Sequence, residues 1–171
     1  DGTDIYSESV SADLQREVVD IADAFRFERG DVSGRGQSLQ YRIAPRHLSI
    51  HGPFHLSLPL EESKVSVEAH EAFYDLPAHK VDLAEAARIE GAGNRLGADR
   101  ISIQMTELNR VDTVVGVGSA HLDVGADRFF RGEEIRMSFD PVLAKLIGVV
   151  VSGQPDPSEG RAVYQEQTPG G

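Results

Sequence analysis

Residues 47–69 read HLSIHGPFHLSLPLEESKVSVEA, and this stretch has the clearest alternation of apolar and polar residues in the chain. Its large apolar side chains lie at even positions from 48 to 60 and at odd positions from 65 to 69, with Glu61-Glu62-Ser63 between the two runs. A period of two is the pattern of a half-buried β-strand. We therefore predict two strands that form a hairpin over one core, with a bend in the first strand at Gly52-Pro53.

The same alternation returns in the C-terminal half of the chain. It is visible in four short runs, at 101–105, 111–117, 120–124 and 135–139. Residues 143–151 are apolar enough to form a buried strand or a helix. Both halves together give about seven to nine short strands with Gly and Pro between them, which predicts a mainly β protein, an antiparallel sandwich or jelly-roll-like barrel.

Two segments have a helical period instead. Ser11 can serve as an N-cap, and the apolar residues after it recur at the spacing of one helical face, which predicts an N-terminal helix. These residues are Leu14, Val18, Ile21, Ala22 and Phe25. Further on, Asp82 and Glu85 form a candidate capping box before a glycine at position 91 or 93, which predicts a second short helix. The apolar residues of 81–89 would also suit a strand.

The two ends of the chain carry no such pattern. Residues 1–10 are polar and are predicted to form an N-terminal arm, and residues 153–171 contain three Pro and four Gly and are predicted to form a flexible C-terminal tail. Residues 11–152 are predicted to be a single β-rich domain, because the chain has about one domain's length. Within the tail, Val163 and Tyr164 are the candidate interface residues of an arm that reaches another subunit; the alternative is simple disorder.

The charge and composition of the chain limit its partners. A formal net charge of −11 at pH 7 repels phosphate backbones, so nucleic acid is not predicted as a partner. No apolar run reaches the roughly 18 to 20 residues that span a bilayer, so membrane insertion is not predicted either. The chain has no cysteine, which excludes disulfides, thiolate zinc sites and thiol nucleophiles and leaves the cellular compartment open.

Three histidines share one face of the first predicted strand. His47, His51 and His55 are four residues apart, so their neighbours in an extended strand are separated by roughly 13 Å. Ligands of one zinc ion must all lie within about 2.1 Å of the metal, which a straight strand does not allow. We therefore predict no metal site, and interpret the three histidines as a polar face that is sensitive to pH.

Sequence motifs of catalysis and of cofactor binding are missing. Ser119 lies in Gly116-Val-Gly-Ser-Ala-His121, which is not the Gly-x-Ser-x-Gly of a nucleophile elbow. Residues 30–36 lack the Lys-Ser/Thr ending of a P-loop, and residues 91–97 have the wrong glycine spacing for a dinucleotide loop. We therefore predict no catalytic residue and no cofactor, which favours a protein that is not an enzyme.

A catalytically silent β domain with an acidic surface and unpatterned ends resembles viral jelly-roll coat and decoration proteins, in architecture alone. This layout favours a non-enzymatic structural or assembly protein, such as a virion subunit that self-associates through its β-barrel and terminal arms. Its partners would be copies of itself or another structural subunit. The alternative is a β-sandwich or barrel module that binds a small molecule or a carbohydrate, and such a module would gain thermal stability with its ligand.

Overall fold

The computed structural model describes residues 4–60, 63–91, 93–125, 128–140, 142 and 145–153. Within these residues the chain forms thirteen β-strands and no helix, so this part of the protein has no helix that could cross a membrane. In chain order the strands are β1 (Asp4–Ser7), β2 (Ser11–Asp13), β3 (Val18–Ile21), β4 (Phe25–Arg29), β5 (Val32–Gly36), β6 (Ser38–Arg42), β7 (His47–Leu60), β8 (Ser63–Asp75), β9 (Lys80–Gly91), β10 (Asn94–Met105), β11 (Val111–Val124), β12 (Arg128–Asp140) and β13 (Lys145–Ser152).

The strands form one open, antiparallel sheet. From β7 to β13 each strand pairs with the next one in sequence, which is a meander. On its other side β7 pairs with two short strands, with β6 along residues 47–51 and with β5 along residues 55–57. The sheet therefore divides at β7 into two branches, one of β5, β4 and β1 and one of β6, β3 and β2.

The long strands bend at one common level of the sheet. The register shifts at this level in every pairing from β7 to β12. Left-handed backbone marks the level at Gly52 in β7, at Glu85 and Ala86 in β9, and at Gly118 in β11. Because a β-bulge bends its strand, a row of bulges folds the sheet across its strands. We call this row the bulge line.

The bulge line divides the long strands into two halves that cover each other. Among the described residues the first half comprises 54–60, 63–69, 87–91, 93–98, 120–125 and 128–132. The second half comprises 47–51, 71–84, 100–117 and 134–140. Ile101 in the second half and Leu122 in the first half are 0% and 1% exposed, and no helix of the described chain lies over the sheet to bury them. The inward faces of the two halves therefore pack on each other as the layers of a sandwich.

The predicted N-terminal helix is wrong, because β2 and β3 occupy that segment and are joined by a tight turn. Asp13 stabilises the turn, since its Oδ1 accepts hydrogen bonds from the backbone N–H groups of Gln15 and Arg16, each at 3.0 Å. Leu14 at the turn is 79% exposed, whereas Ile21 is 2% exposed. A helix would place both side chains on one face, so the helical spacing of the apolar residues was accidental.

The predicted second short helix is also wrong, because this part of the described chain is strand β9. The bulge residues Glu85 and Ala86 separate the inward-facing side chains Leu83 and Ala87 by four residues instead of two. A separation of four imitates one turn of a helix. The bulge therefore produced a helical period within a strand.

The count of seven to nine short strands is too low for the described residues. A bulge at Gly118 and Ser119 joins two predicted runs, 111–117 and 120–124, into the single strand β11. The additional strands are mostly the short ones before β7, which have three to five residues each. Strands that short contain too few alternating positions to show a period of two.

The mainly β, antiparallel architecture and the hairpin of residues 47–69 are confirmed. Strands β7 and β8 are adjacent and antiparallel, and the alternation places Ile50 and Phe54 of β7 and Val67 of β8 in the core. Residues 4–7, within the predicted arm, form β1 and pair with β4. The tail residues 154–171 lie outside the described part of the chain, so the domain boundaries stay predictions.

Candidate functional site

The interior of the first half is lined by a row of apolar side chains that crosses six strands. Strand register places these residues opposite one another on neighbouring strands, so their side chains share the inward face. The row consists of Leu56, Val67, Ile89, Leu96, Leu122 and Phe130. A surface that is apolar over six consecutive strands extends roughly 24 Å across the sheet, at about 4.8 Å per strand.

The second half carries a matching inward row on the other side of the bulge line. Its members also lie opposite one another in register, and all are apolar or glycine. The row consists of Leu39, Ile50, Ala72, Leu83, Ile101, Gly116, Ile135 and Val151. The two rows together enclose one continuous apolar interior.

The interior contains no electrostatic feature within the described residues. All of the fully buried residues there are hydrophobic or glycine, and no polar or charged residue is buried. No buried side-chain nitrogen or oxygen of this part of the chain is without a hydrogen-bond partner. Such an interior offers neither a catalytic group nor a metal ligand, but a hydrocarbon chain could enter it without displacing a hydrogen bond.

The apolar interior continues in both halves into side chains that are only half-buried, and those of the first half form one group. They pack against the core and come from the ends of neighbouring strands, which the antiparallel order brings to the same end of the first half. We call this group the apolar mouth, and it consists of Leu56, Val65, Ile89, Val124 and Phe130. Half-buried apolar groups at the mouth of a β-structure are typical of a ligand-binding site.

The sheet has no backbone hydrogen bonds between its two outer edges within the described residues. The strand order ends at β1 and β2 on one side and at β13 on the other. No pairing between described strands joins the two halves across the interior, so side-chain packing and the bulge line hold them together.

The structure places the three predicted histidines on the outward face of β7, each opposite a carboxylate of β8. The nitrogen-to-oxygen distances are 3.5 Å for His47 and Asp75, 3.7 Å for His51 and Glu71, and 3.4 Å for His55 and Glu68. These lie along the strand as three separate pairs. The carboxylates were not singled out in the sequence, because cross-strand register is needed to find them.

The other predicted sites remain untested. No group of three or more metal-ligating side chains occurs in the described ranges. The pH-sensitive role of His47, His51 and His55 stays a prediction. The candidate interface residues Val163 and Tyr164 lie outside the part of the chain that the structure describes.

Sequence reasoning did not identify the apolar interior as a site. Its residues come from six strands, and each strand alone shows only the alternation that any half-buried strand has. Bulges also change which positions face inward, as between Ala98 and Ile101 in β10, which are separated by three residues. The only signal in the sequence was the number of segments that alternate between apolar and polar residues. It was larger than a small hydrophobic core requires.

The fold and the interior define a class of protein. Within the described residues it is a sandwich without helices, in which one sheet folds on itself around an apolar interior. A similar fold occurs in the crystal structure of LptH from Pseudomonas aeruginosa, the LptA-homologous periplasmic component of the conserved lipopolysaccharide transport device. The TM-score is 0.58 and the sequence identity 14%, over 76% of this chain and 93% of LptH. No family model and no curated protein sequence matches the chain.

This likeness corrects the leading functional prediction. The prediction of a virion coat or decoration subunit, and with it a capsid role, is wrong, because the similar structure is a component of lipopolysaccharide transport. The β-rich, antiparallel fold fits the predicted jelly-roll-like architecture; the error lies in the role inferred from it, because one fold serves many unrelated functions. The alternative, a binding module, agrees better with the fold.

Proposed function

We propose that this protein is a non-catalytic binding module that holds the apolar chains of an amphipathic glycolipid between the two halves of its sheet. The observation that carries the proposal is the continuity of the interior with the apolar mouth. The half-buried rim is the part that a ligand would cover.

The similarity to LptH supports the choice of ligand class. Lipopolysaccharide is a glycolipid, and its acyl chains match an interior in which no described polar residue is buried. Its sugar part would remain outside, next to polar side chains of the outward face. The sequence analysis gave a small molecule or a carbohydrate as the ligand of a binding module, and a glycolipid combines features of both.

Burial of the acyl chain provides the free energy of binding. Each methylene group removed from water contributes roughly 0.8 kcal/mol, so a chain of ten or more carbons can offset both the loss of ligand freedom and the opening of the mouth. Affinity should therefore rise steeply with the length of the alkyl chain.

Two matched variants test the proposal. Leu56 is part of the apolar mouth and faces inward, and Ser57 follows it on β7 and faces outward. We expect lipopolysaccharide and a neutral alkyl glycoside to raise the melting temperature of the wild-type protein and of Ser57→Asn, but not of Leu56→Asn. Far-UV circular dichroism checks that both variants fold. Equal shifts in the two variants, or no shift in the wild-type protein, would reject the proposal.

We also propose that copies of the protein associate through the free edge of β13. Among the described residues β13 pairs only with β12, and its outward side chains Ile147 and Val150 are 50% and 48% exposed. An edge strand with exposed apolar side chains is a template for pairing with another chain. Light scattering over a dilution series should show an oligomer that Val150→Lys dissociates, whereas a monomer at every concentration would contradict this part of the proposal.

A further inference from the structure

A row of three arginines, one histidine and one glutamate crosses the outward face of the first half, on the opposite side of the sheet from the apolar interior. Register places each member directly opposite the next, on five neighbouring strands. In order across β4, β5, β7, β8 and β9 the row consists of Arg26, Arg35, His55, Glu68 and Arg88. Because neighbouring strands are about 4.8 Å apart, Arg26 and Arg35 can reach one common ligand, whereas Arg88 is three strands, or about 14 Å, from Arg35.

The charge of Arg35 is not balanced by its neighbours in this row. It lies between Arg26 and His55, and like charges placed directly opposite in a sheet are destabilising. The full chain has 28 acidic and 17 basic residues, so a carboxylate would be the ordinary neighbour. Within the described part of the chain Arg35 nevertheless has no ion pair, whereas Arg26 has one with Glu28 at 3.5 Å.

The row borders a depression of about 940 Å³, which the core residues Phe25, Phe54 and Ala69 also line. All three arginines line it, together with the hydroxyl-bearing Tyr6 and the amide-bearing Gln37. Two carboxylates also line it, and one of these, Glu68, is 3.4 Å from Nδ1 of His55; the other is Glu8. The guanidinium of Arg26 stacks on the ring of Tyr6, at 4.8 Å from the ring centre, which fixes its position at the rim.

We propose that this depression binds a phosphate group, with Arg35 as the principal contact, Arg26 beside it and Arg88 at the far side of the depression. Guanidinium groups donate paired hydrogen bonds to phosphate oxygens, and such charge-assisted bonds are the stronger kind. A bound phosphate would also remove the repulsion between Arg26 and Arg35. The phosphate can be free in solution or displayed on a lipid headgroup, since both present the same oxygens. The three arginines lie on the opposite face of the sheet from the apolar interior, so the phosphate contacts proposed here differ from the acyl-chain contacts proposed above.

The test compares the full-length wild-type protein with Arg35→Gln and with Arg100→Gln. Arg100 is an exposed arginine on the outward face of the second half, outside the depression, so its variant controls for the change in net charge. The first probe is inorganic diphosphate, titrated calorimetrically at low ionic strength. The second is sedimentation with phosphatidylcholine vesicles, with and without phosphatidylglycerol. Both substitutions are at exposed positions and should leave the fold intact.

We expect Arg35→Gln to weaken the binding of diphosphate by about tenfold or more, and Arg100→Gln to leave it nearly unchanged. Binding that depends on Arg35 with both diphosphate and the anionic vesicles indicates a lipid headgroup as a ligand, and binding to diphosphate alone indicates a soluble phosphate. The absence of binding to both probes, or equal losses in the two variants, would overturn the proposal. A neutral alkyl glycoside carries no phosphate, so its binding does not depend on these results. The phosphate site and the acyl-chain site can therefore be rejected independently.

Discussion

Arg95 and Glu90 form a two-pronged ion pair across strands β9 and β10. Arg95 Nε donates to Glu90 Oε2 at 3.0 Å, and Arg95 Nη2 donates to Oε1 at 3.1 Å. The two residues are register partners, so the strand pairing itself brings the guanidinium and the carboxylate together. The hydrogen bonds and the positive charge of Arg95 lower the pKa of Glu90, and the same contacts raise the pKa of Arg95.

The first prediction concerns this pair. Arg95→Gln should raise the pKa of Glu90 towards its ordinary value of 4.5, which NMR titration of the carboxyl carbon measures. A lowered carboxyl pKa stabilises the fold above the unfolded-state pKa, and this contribution is lost as the pH falls through the folded-state pKa. The wild-type protein should therefore be the more stable one at neutral pH, and the difference should disappear in acid. An unchanged Glu90 titration in the variant would contradict the role given to Arg95.

The second prediction tests which face of the sheet is buried. Ile101 is 0% exposed and Arg100, the preceding residue on β10, is exposed. Ile101→Ala should lower the free energy of unfolding by about 2 to 5 kcal/mol, because lost burial and a cavity both contribute. Arg100→Ala should change it by less than about 0.5 kcal/mol. Denaturant titrations measure both, and similar losses would show that the inward face has been assigned wrongly.

The third prediction concerns the bulge line. Gly118 has a φ of 78°, and a Cβ atom there would overlap the side chain of Asp99 on the neighbouring strand. Gly118→Ala should therefore cost about 1 to 2 kcal/mol for the backbone conformation, and more for the overlap. Adding Asp99→Ala should recover only the second part, because the backbone cost remains. A double-mutant cycle measures this coupling, and strictly additive effects would mean that the two residues do not meet.

The alternation of apolar and polar residues in β7 and β8 was sufficient to predict that these strands pair. The bulge at Gly52 preserves that alternation, because Ile50 before it and Phe54 after it both face inward at even positions. The helices were predicted wrongly where a turn or a bulge changed that period. At the turn after Asp13 the helical spacing was accidental, since Leu14 is exposed, whereas the bulge at Glu85 separates the inward-facing Leu83 and Ala87 by four positions. Local spacing alone does not distinguish these cases from a helix.

The candidate sites were less predictable than the strands, because they are formed across strands. His55 was singled out in the sequence, but its neighbours Arg35 and Glu68 are 20 and 13 residues away and meet it only through register. The apolar interior depends in the same way on the order of the strands. The folding of the sheet at the bulge line then determines which surface is enclosed, and no single segment of sequence carries that information.

The most direct test of the account uses the absence of tryptophan from the chain. Phe130 packs against the core in the apolar mouth, and Phe129 beside it is 71% exposed on the outward face. Phe130→Trp and Phe129→Trp therefore place a single fluorophore on opposite sides of one strand. A neutral alkyl glycoside with a brominated chain, added below its micellar concentration, should quench the fluorescence of Trp in the Phe130 variant and hardly affect the Phe129 variant, and lipopolysaccharide should reverse the quenching. Equal quenching of the two variants, or none in either, would contradict an acyl chain held between the two halves of the sheet.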